Sequence, residues 1–488
     1  MLNRRGVLAA GGIAAGVFGV PKLLAPAEGH ESTTHAAHEP VAFQESKTFS
    51  GTRPEIVPWT RPMPVPPVLK PLVSTSKQEI YQLSIERTTA EILPGLQSPV
   101  MGFGGQFIGP TIKAKTGRKT LIMFQNKMDE AANVHLHGGH VPPEHDGHPK
   151  DLIDPGRTRL YLYPNAQQGA TLWYHDHSHG TEAAHVYLGL HGAYVIEDDS
   201  ERGLNLPSGA YDVPIMLRDI QFDDSGNIVV FDDPSKRTTV LANGAPQPYF
   251  EVAARKYRFR LINTANQRIF HLRLTGDKFT RIGSDGGLYA NSVEAEELLL
   301  SSAERADVVI DFSKYPVGSK VTLTDSVGGE ILRFDVVRRA SDSSRVPADL
   351  RPLPALPLST VDREVDLFYV FKPNDRPDGV INGKVFDMDR VDFTIKRGAT
   401  ETWLIKSSDP AGVKHNFHLH LVQFRVLERN GGPPHPSDAG LKDTIPITAG
   451  ETVKVQATFT GYTGRYVYHC HFLEHSWIGM MAQLEIVP

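Results

Sequence analysis

Four His-x-His pairs carry most of the chemistry this chain can do: HLH at 135–137, HDH at 175–177, HLH at 418–420 and HCH at 469–471. On a strand, residues i and i+2 share a face, so each pair presents two imidazoles side by side. One zinc takes four protein ligands in a structural site and three in a catalytic one, so eight imidazoles suit a cluster of metals better than one ion. Imidazole serves zinc, copper, iron and nickel alike, and an isolated pair is commonly structural. Four pairs flanking a stretch, 192–414, whose only His is His271 are a stronger signal. The last segment narrows the metal. Cys470, the single cysteine, sits between His469 and His471 and points its thiol the opposite way; His475 and Met480 follow at five-residue steps. Two His, a Cys and a weak axial Met make the blue-copper electron-transfer site. The second His must come from elsewhere, and His415 lies outside the alternation of His418 and His420. A free Cys is more often an inert buried thiol, but its two neighbours and the downstream His and Met argue otherwise.

The elements that position these residues read as strands. KYRFRLIN (256–263), FHLRLTG (270–276), ADVVIDF (306–312), VKVQATF (453–459) and RYVYHC (465–470) alternate or form β-branched apolar runs. Turn clusters such as DDSGN (223–227) and GSDGG (283–287) separate them, and 43 Gly with 36 Pro favour short strands over long helices. The fold class is therefore all-β, built from sandwiches. At roughly 150 residues per domain, 488 residues hold about three. Boundaries fall in the loop-like EDDSERGLNLPSGAYDVP (197–214) and the Pro- and Ser-rich SDSSRVPADLRPLPALPLS (341–359), giving domains at 81–198, 205–340 and 360–488. The middle one lacks the His pairs, so the chemistry belongs to the outer two. Acids exceed bases by 56 to 51, a formal charge of −5, which argues against a nucleic-acid partner. One cysteine excludes an internal disulfide framework and multi-Cys metal sites.

The N-terminus reads as an export signal over 1–27: the pair Arg4-Arg5, the uncharged run Val7–Val20 and the small-residue Ala25-Pro26-Ala27. The run is short for a membrane span, so the expectation is twin-arginine export, cleavage, no membrane span afterwards, and a periplasmic or extracellular protein. Residues 28–80, including RPMPVPPVLKP (61–71), read as a Pro-rich arm, and its His30, His35 and His38 as solvated.

Taken together, these motifs resemble the multicopper oxidases, and within them the three-domain bacterial spore-coat laccase and bilirubin oxidase branch. Beyond the His pairs, the resemblance is carried by YLYPNAQQGATLWYHDH (161–177), VYLGLHGAYVIED (186–198), YRFRLINTANQRIFHLRL (257–274), GSDGGL (283–288), HLVQFRVLER (420–429) and AGLKDT (439–444). It covers most of 85–488. It implies three cupredoxin-like Greek-key β-sandwich domains and four copper ions. His415, Cys470 and His475 would hold the type 1 copper, with Met480 axial. His135 and His418 would hold the type 2 copper. His137, His175, His177, His420, His469 and His471 would hold the type 3 pair. The implied activity is that of a laccase: four one-electron oxidations of an organic donor (phenols, aromatic amines, bilirubin-like pigments) coupled to reduction of dioxygen to two waters. Its partners are dioxygen and a small reducing substrate, and the family's usual state is a monomer. Cys470, bonded through the backbone to His469 and His471, would wire electron entry to the cluster over on the order of 10 Å. Donors would meet the edge of His415 or His475.

Two departures stand against that pattern. Asn416-Phe417 replaces the family's usual Pro-Ile, which should alter packing beside the type 1 site. Ser476 stands where the branch commonly has an acid that moves protons to reduced oxygen. Asp146, in HDGH (145–148), is then the main candidate for the proton route, and Glu474 a weaker one. His140, His145, His148, His179, His185 and His191 read as surface or supporting residues, and His271 as structural. Three alternatives are distinguishable. A periplasmic cuprous oxidase would commonly carry a Met-rich insert, and the nine Met here form no such run. A copper-storage protein would not need the Cys470–His471 connection. A copper-free scaffold would have lost ligands, and every ligand motif is present.

Overall fold

The computed structural model of the chain describes residues 51–359, 361–373 and 375–488. The expected signal and the first part of the arm, with His30, His35 and His38, lie outside the described residues. Within them, strands dominate and form six sheets that pair into three sandwiches, the all-β cupredoxin-like architecture. In the first, a sheet built on Gln78–Glu91 faces a four-stranded sheet ordered Gly109–Lys115, His191–Glu197, Ala170–His175, His135–His137. The middle sandwich sets a seven-stranded sheet against a five-stranded one. In the third, one five-stranded sheet runs Phe393–Lys396, Met481–Val487, Gly464–His469, His415–Leu419, Thr444–Ile447. Gly109–Lys115 lies parallel to His191–Glu197, and Phe393–Lys396 parallel to Met481–Val487; such pairs need the crossover connections of a Greek key.

The sequence pattern explains the local structure. In Lys119–Asn126, Thr120, Ile122, Phe124 and Asn126 point inward and their neighbours do not, the period of a half-buried strand. Lys256–Asn263 is buried on both faces beyond its first residue, because its sheet is covered by its own sandwich on one side and by the first sandwich on the other. Across that second boundary Thr171 Oγ1 donates to Asp307 (2.6 Å), and Arg260 donates to Thr171 Oγ1 (2.8 Å). A separate apolar cluster fills the junction, with Trp173 and Val186 against Met216, Ile262 and Leu473.

The arm does not extend to residue 80 as expected, since the long strand starts at Gln78. Its described part bridges two sandwiches: Met63 N–H donates to Tyr249 O and Leu69 N–H to Thr111 O. Residues 340–348 and 350–359 form no strand or helix, and Arg351 within them pairs with Asp198 at 2.9 Å.

Only two α-helices occur among the described residues, α1 (Glu182–Leu188) and α2 (Leu473–Trp477). Both are too short to persist alone. All seven side chains of α1 are buried, so packing holds it. Gly189 ends it at φ +125°, where a Cβ would meet Met101 O at 2.4 Å; only glycine fits there. No helix among the described residues is long and apolar enough to cross a membrane.

Candidate metal centre

The His pairs sit where strands run out. His175 ends one strand and His469 another, so Asp176, His177, Cys470 and His471 lie beyond the ladders. Placing Cys470 on a strand therefore needs correction. The ladder stops because the chain must turn through α2 to return His475 toward the thiol; Cys470 N–H still bonds Met480 O at 3.0 Å. The alternation survives the strand's end, with His469 and His471 ring centres 5.2 Å apart.

All eight paired imidazoles converge at the contact between the first and third sandwiches, each no more than 2% exposed. His135 stacks on His420 at 3.9 Å and His137 on His418 at 3.8 Å. Nε2 of His469 lies 3.2 Å from that of His177 and 3.3 Å from that of His420; His175 and His471 approach at 3.4 Å. Two nitrogens sharing a tetrahedral ion at about 2.1 Å stand roughly 3.4 Å apart, so these spacings fit metal ligation. Burial pushes every one of these rings below the usual histidine range, His175 to about 4 and His469 to about 3. They are neutral near pH 7, the form that binds a metal. His135 Nε2 and His418 Nε2 make no hydrogen bond, while their Nδ1 atoms donate to Asp146 O (2.6 Å) and Asp443 O (2.8 Å). A buried nitrogen left this way costs about 1–3 kcal/mol, which ligation removes. The donor set thus suits a cluster of imidazole-binding metals, and His135–His418–His420 and His177–His420–His469 are each close enough to share an ion.

The second group is His415, Cys470 and His475, also close enough to hold one ion. Cys470 Sγ is 3.6 Å from His475 Nδ1 and 4.0 Å from His415 Nδ1, and the two nitrogens are 3.0 Å apart. Asp409 Oδ2 accepts from His415 Nε2 at 3.2 Å, turning Nδ1 toward the sulfur. Met480 is fully buried in the same core as Cys470. Met481 instead pairs in register with His469. His415 and His475 are at most 2% exposed, so the expectation that a donor meets their edges fails. Tyr369 covers them, its ring 5.5 Å from His415 and 5.0 Å from His475, and the exposed Phe371 ring lies 6.0 Å beyond.

Asp146 is buried, and its Oδ2 accepts from His420 Nδ1 at 2.7 Å; burial pushes its carboxyl well above the ordinary range. Glu474 is tied to Arg237 (2.6 Å) and Asn266 (2.9 Å). Of the two readings, surface or supporting, His140 and His148 take the supporting one: they bond Leu421 O (3.1 Å) and Gln483 Oε1 (2.8 Å) across the contact between outer sandwiches. His145 is half-buried, His179 packs edge-on against Phe386, His191 is fully buried, and His271 pairs with Glu297 in the middle sandwich.

The roles of three residues were left open by the sequence. Asn416 accepts from His471 N–H (2.6 Å) and donates to Ser302 O (2.9 Å), fixing the step between thiol and cluster. Asp443 Oδ1 accepts from His137 Nε2 at 3.0 Å and is held by Arg305 of the middle sandwich. His185 lies 3.2 Å from Asp176 and 3.4 Å from Glu130. Burial opposes charge on His185, but the two carboxylates prevail and raise its pKa to about 9. The motif AGLKDT included Asp443, Asn416 stood out as a departure expected to alter packing beside the type 1 site, and His185 as an extra histidine, but none of these signals indicated the contacts found.

Comparison with known proteins agrees with this geometry. Three family models, each described as multicopper oxidase, match residues 84–201, 220–320 and 360–488. A laccase of Bacillus subtilis is 35% identical, with the alignment covering 87% of this chain and 97% of that protein. A bilirubin oxidase of Albifimbria verrucaria is 34% identical over 89% of this chain and 82% of its own. The crystal structure of a multi-copper oxidase from Pediococcus acidilactici superposes with a TM-score of 0.81 at 31% identity, covering 90% of this chain and 94% of that one. Sandwiches, converging imidazoles and relatives agree that the chain belongs to the multicopper oxidase family, copper-dependent oxidoreductases that use oxygen as acceptor.

Proposed function

We propose that this protein is a laccase-type oxidase that takes electrons singly from a small organic donor and reduces dioxygen to two waters. The observation that carries this reading is the covalent run His469-Cys470-His471. Its sulfur joins the His415–His475 group and its imidazoles join the eight-ring cluster. His415, Cys470 and His475, with Met480 buried in the same core, would hold a type 1 copper. His135 and His418 would hold a type 2 copper. His137, His175 and His471, with His177, His420 and His469, would hold the type 3 pair. Bound there, copper supplies one-electron storage and a place for oxygen. The chain's own residues orient the imidazoles and keep them neutral. Asn416 fixes the backbone between the two groups, and Asp146 and Asp443 hold ligand rings from behind. Tyr369 and the exposed Phe371 support donor approach on the outer side of His415 and His475. Substrates would be phenols, aromatic amines or bilirubin-like pigments, because transfer across an aromatic surface demands little of donor shape.

The test is copper content, visible absorption and oxygen uptake of copper-loaded protein with a phenol, an aromatic amine, bilirubin and cuprous ion as donors. A thiolate-to-copper blue band with uptake driven by organic donors supports the reading. Faster turnover of cuprous ion would make it a cuprous oxidase. Bound copper without uptake from any donor would make it a storage protein. We further propose export by the twin-arginine route on the strength of Arg4-Arg5 and the run that follows. Replacing both arginines by lysine should then retain the protein in the cytoplasm.

A further inference from the structure

Oxygen reduction consumes four protons for every four electrons, O2 + 4 H+ + 4 e− giving two waters, and the neutral imidazoles around the cluster have none to spare. Glu182 is a carboxyl that the ligand scheme leaves unused. It opens α1, five residues after His177, and is 1% exposed. A buried carboxylate is ordinarily paired with a cation. Among the described residues no lysine, arginine or histidine forms an ion pair with Glu182. Its Oε1 accepts from Ser476 Oγ at 3.3 Å, and its Oε2 makes no hydrogen bond. Ser476 directly follows His475 on α2. The α1–α2 junction shares its apolar packing with Trp173, whose ring lies 4.2 Å from that of His175 and 5.6 Å from that of His471. Glu182 thus stands at the junction of α1 and α2, where the chain leaves the loop carrying His175 and His177 and faces the helix carrying His475.

Resting on the oxidase reading above, we propose that Glu182 is the proton-relay carboxyl for oxygen reduction, passing protons toward the cluster through the Ser476 hydroxyl. In each cycle the acid O–H bond of Glu182 breaks, its proton moves by way of Ser476 to oxygen that has accepted an electron, and the carboxylate left behind regains a proton from solvent. The donor is the reductant and dioxygen the oxidant; Glu182 itself changes only its protonation. The environment keeps the acid form available. Burial pushes its pKa up to about 8 and the nearby Asp176 adds to the rise, while the backbone N–H groups of Glu182 and Gly180 and the Ser476 hydroxyl offset part of it. Asp176 and Ser476 are the titratable and polar side chains that face it. The acid comes from α1, opposite the serine where the sequence pattern led one to look for it on α2.

The test uses the full chain and Glu182→Gln, which keeps shape and removes the proton. In metal-free protein, infrared difference spectra should show a carboxylic-acid carbonyl band that titrates near pH 8 and is missing in E182Q. In copper-loaded protein, E182Q should keep the blue absorption and copper content. It should lose about 100-fold in turnover at saturating donor, the low end for general acid catalysis, and its pH profile should flatten. Adding Ser476→Glu to E182Q should restore most of the rate. If E182Q fails to hold copper, E182D with its altered pH profile and the infrared band carry the test. Wild-type turnover and pH profile in E182Q, or no band assignable to Glu182, would overturn the relay while leaving the oxidase reading intact. Absence of oxygen uptake in wild-type protein would overturn both.

Discussion

Arg305 reaches all three sandwiches with one guanidinium, and Arg305→Leu tests whether the middle sandwich serves the copper sites. Its Nε donates to Thr171 O in the first sandwich (3.0 Å), Nη1 to Asp443 Oδ1 in the third (2.7 Å) and Nη2 to Asp285 O in its own (3.1 Å). Side chains of Arg305 and Asp443 are at most 1% exposed, so solvent does not screen the pair. Burial works against charge on Arg305, yet Asp443 and Asp285 hold its pKa above the ordinary arginine value. Removing one partner of such a pair costs about 3–5 kcal/mol, because the other charge stays buried without compensation. The stranded carboxylate is Asp443, which orients His137 at 3.0 Å. Loss of such a supporting contact lowers metal affinity about 10–100-fold. The assay is paired: urea unfolding of wild type and R305L, and copper retained per chain against a graded chelator. Asp232→Asn, which removes the exposed pair with Lys236, should leave both readings unchanged. A stability loss below about 1 kcal/mol with unchanged copper retention would refute the reasoning, showing that the buried network contributes neither cohesion nor ligand positioning.

Cys470→Ser should abolish the blue absorption while most of the cluster's copper remains, read by visible spectroscopy and metal analysis on one sample. Asp146→Ala removes the acceptor of His420 Nδ1, and chelator competition should show cluster copper affinity reduced about 10–100-fold. His185 gives a pH test whose sign follows from its raised pKa. Its charged form is favoured in the fold, so its contribution is complete below its ordinary pKa of about 6.5 and fades as pH rises through about 9. That window spans stability on the order of 3 kcal/mol at about 1.4 kcal/mol per unit. Urea midpoints between pH 6 and 10 should fall for wild type and stay flatter for His185→Gln; parallel slopes would contradict the assignment.

The all-β class, the His pairs and the position of Cys470 between two of them could be read along the chain, because strand alternation and i, i+2 spacing are local. KYRFRLIN at 256–263 became a strand with those bounds, since Tyr257, Phe259 and Leu261 alternate with Lys256, Arg258 and Arg260, the period of two that a strand imposes. Where the strands stop was not legible. Cys470 and His177 fall past their ladders, because closing a metal site between two sandwiches demands a turn that local propensity does not encode. The exposure of His415 and His475 was misjudged for a similar reason: Tyr369, some 46 residues upstream of the first, covers them. Whether His140 and His148 lie at the surface or in a supporting position stayed open along the chain, because nothing nearby reveals the sandwich that packs on them.

Which residues can ligate is written in residue type and near spacing, so the sequence alone determined the kind of metal chemistry. Which acids and cations serve those ligands was decided only in three dimensions. Asp443 meets His137 across 306 positions, and Glu182 meets Ser476 across 294. Burial, which sets whether each carboxyl is charged, exists only once the sandwiches have closed on one another.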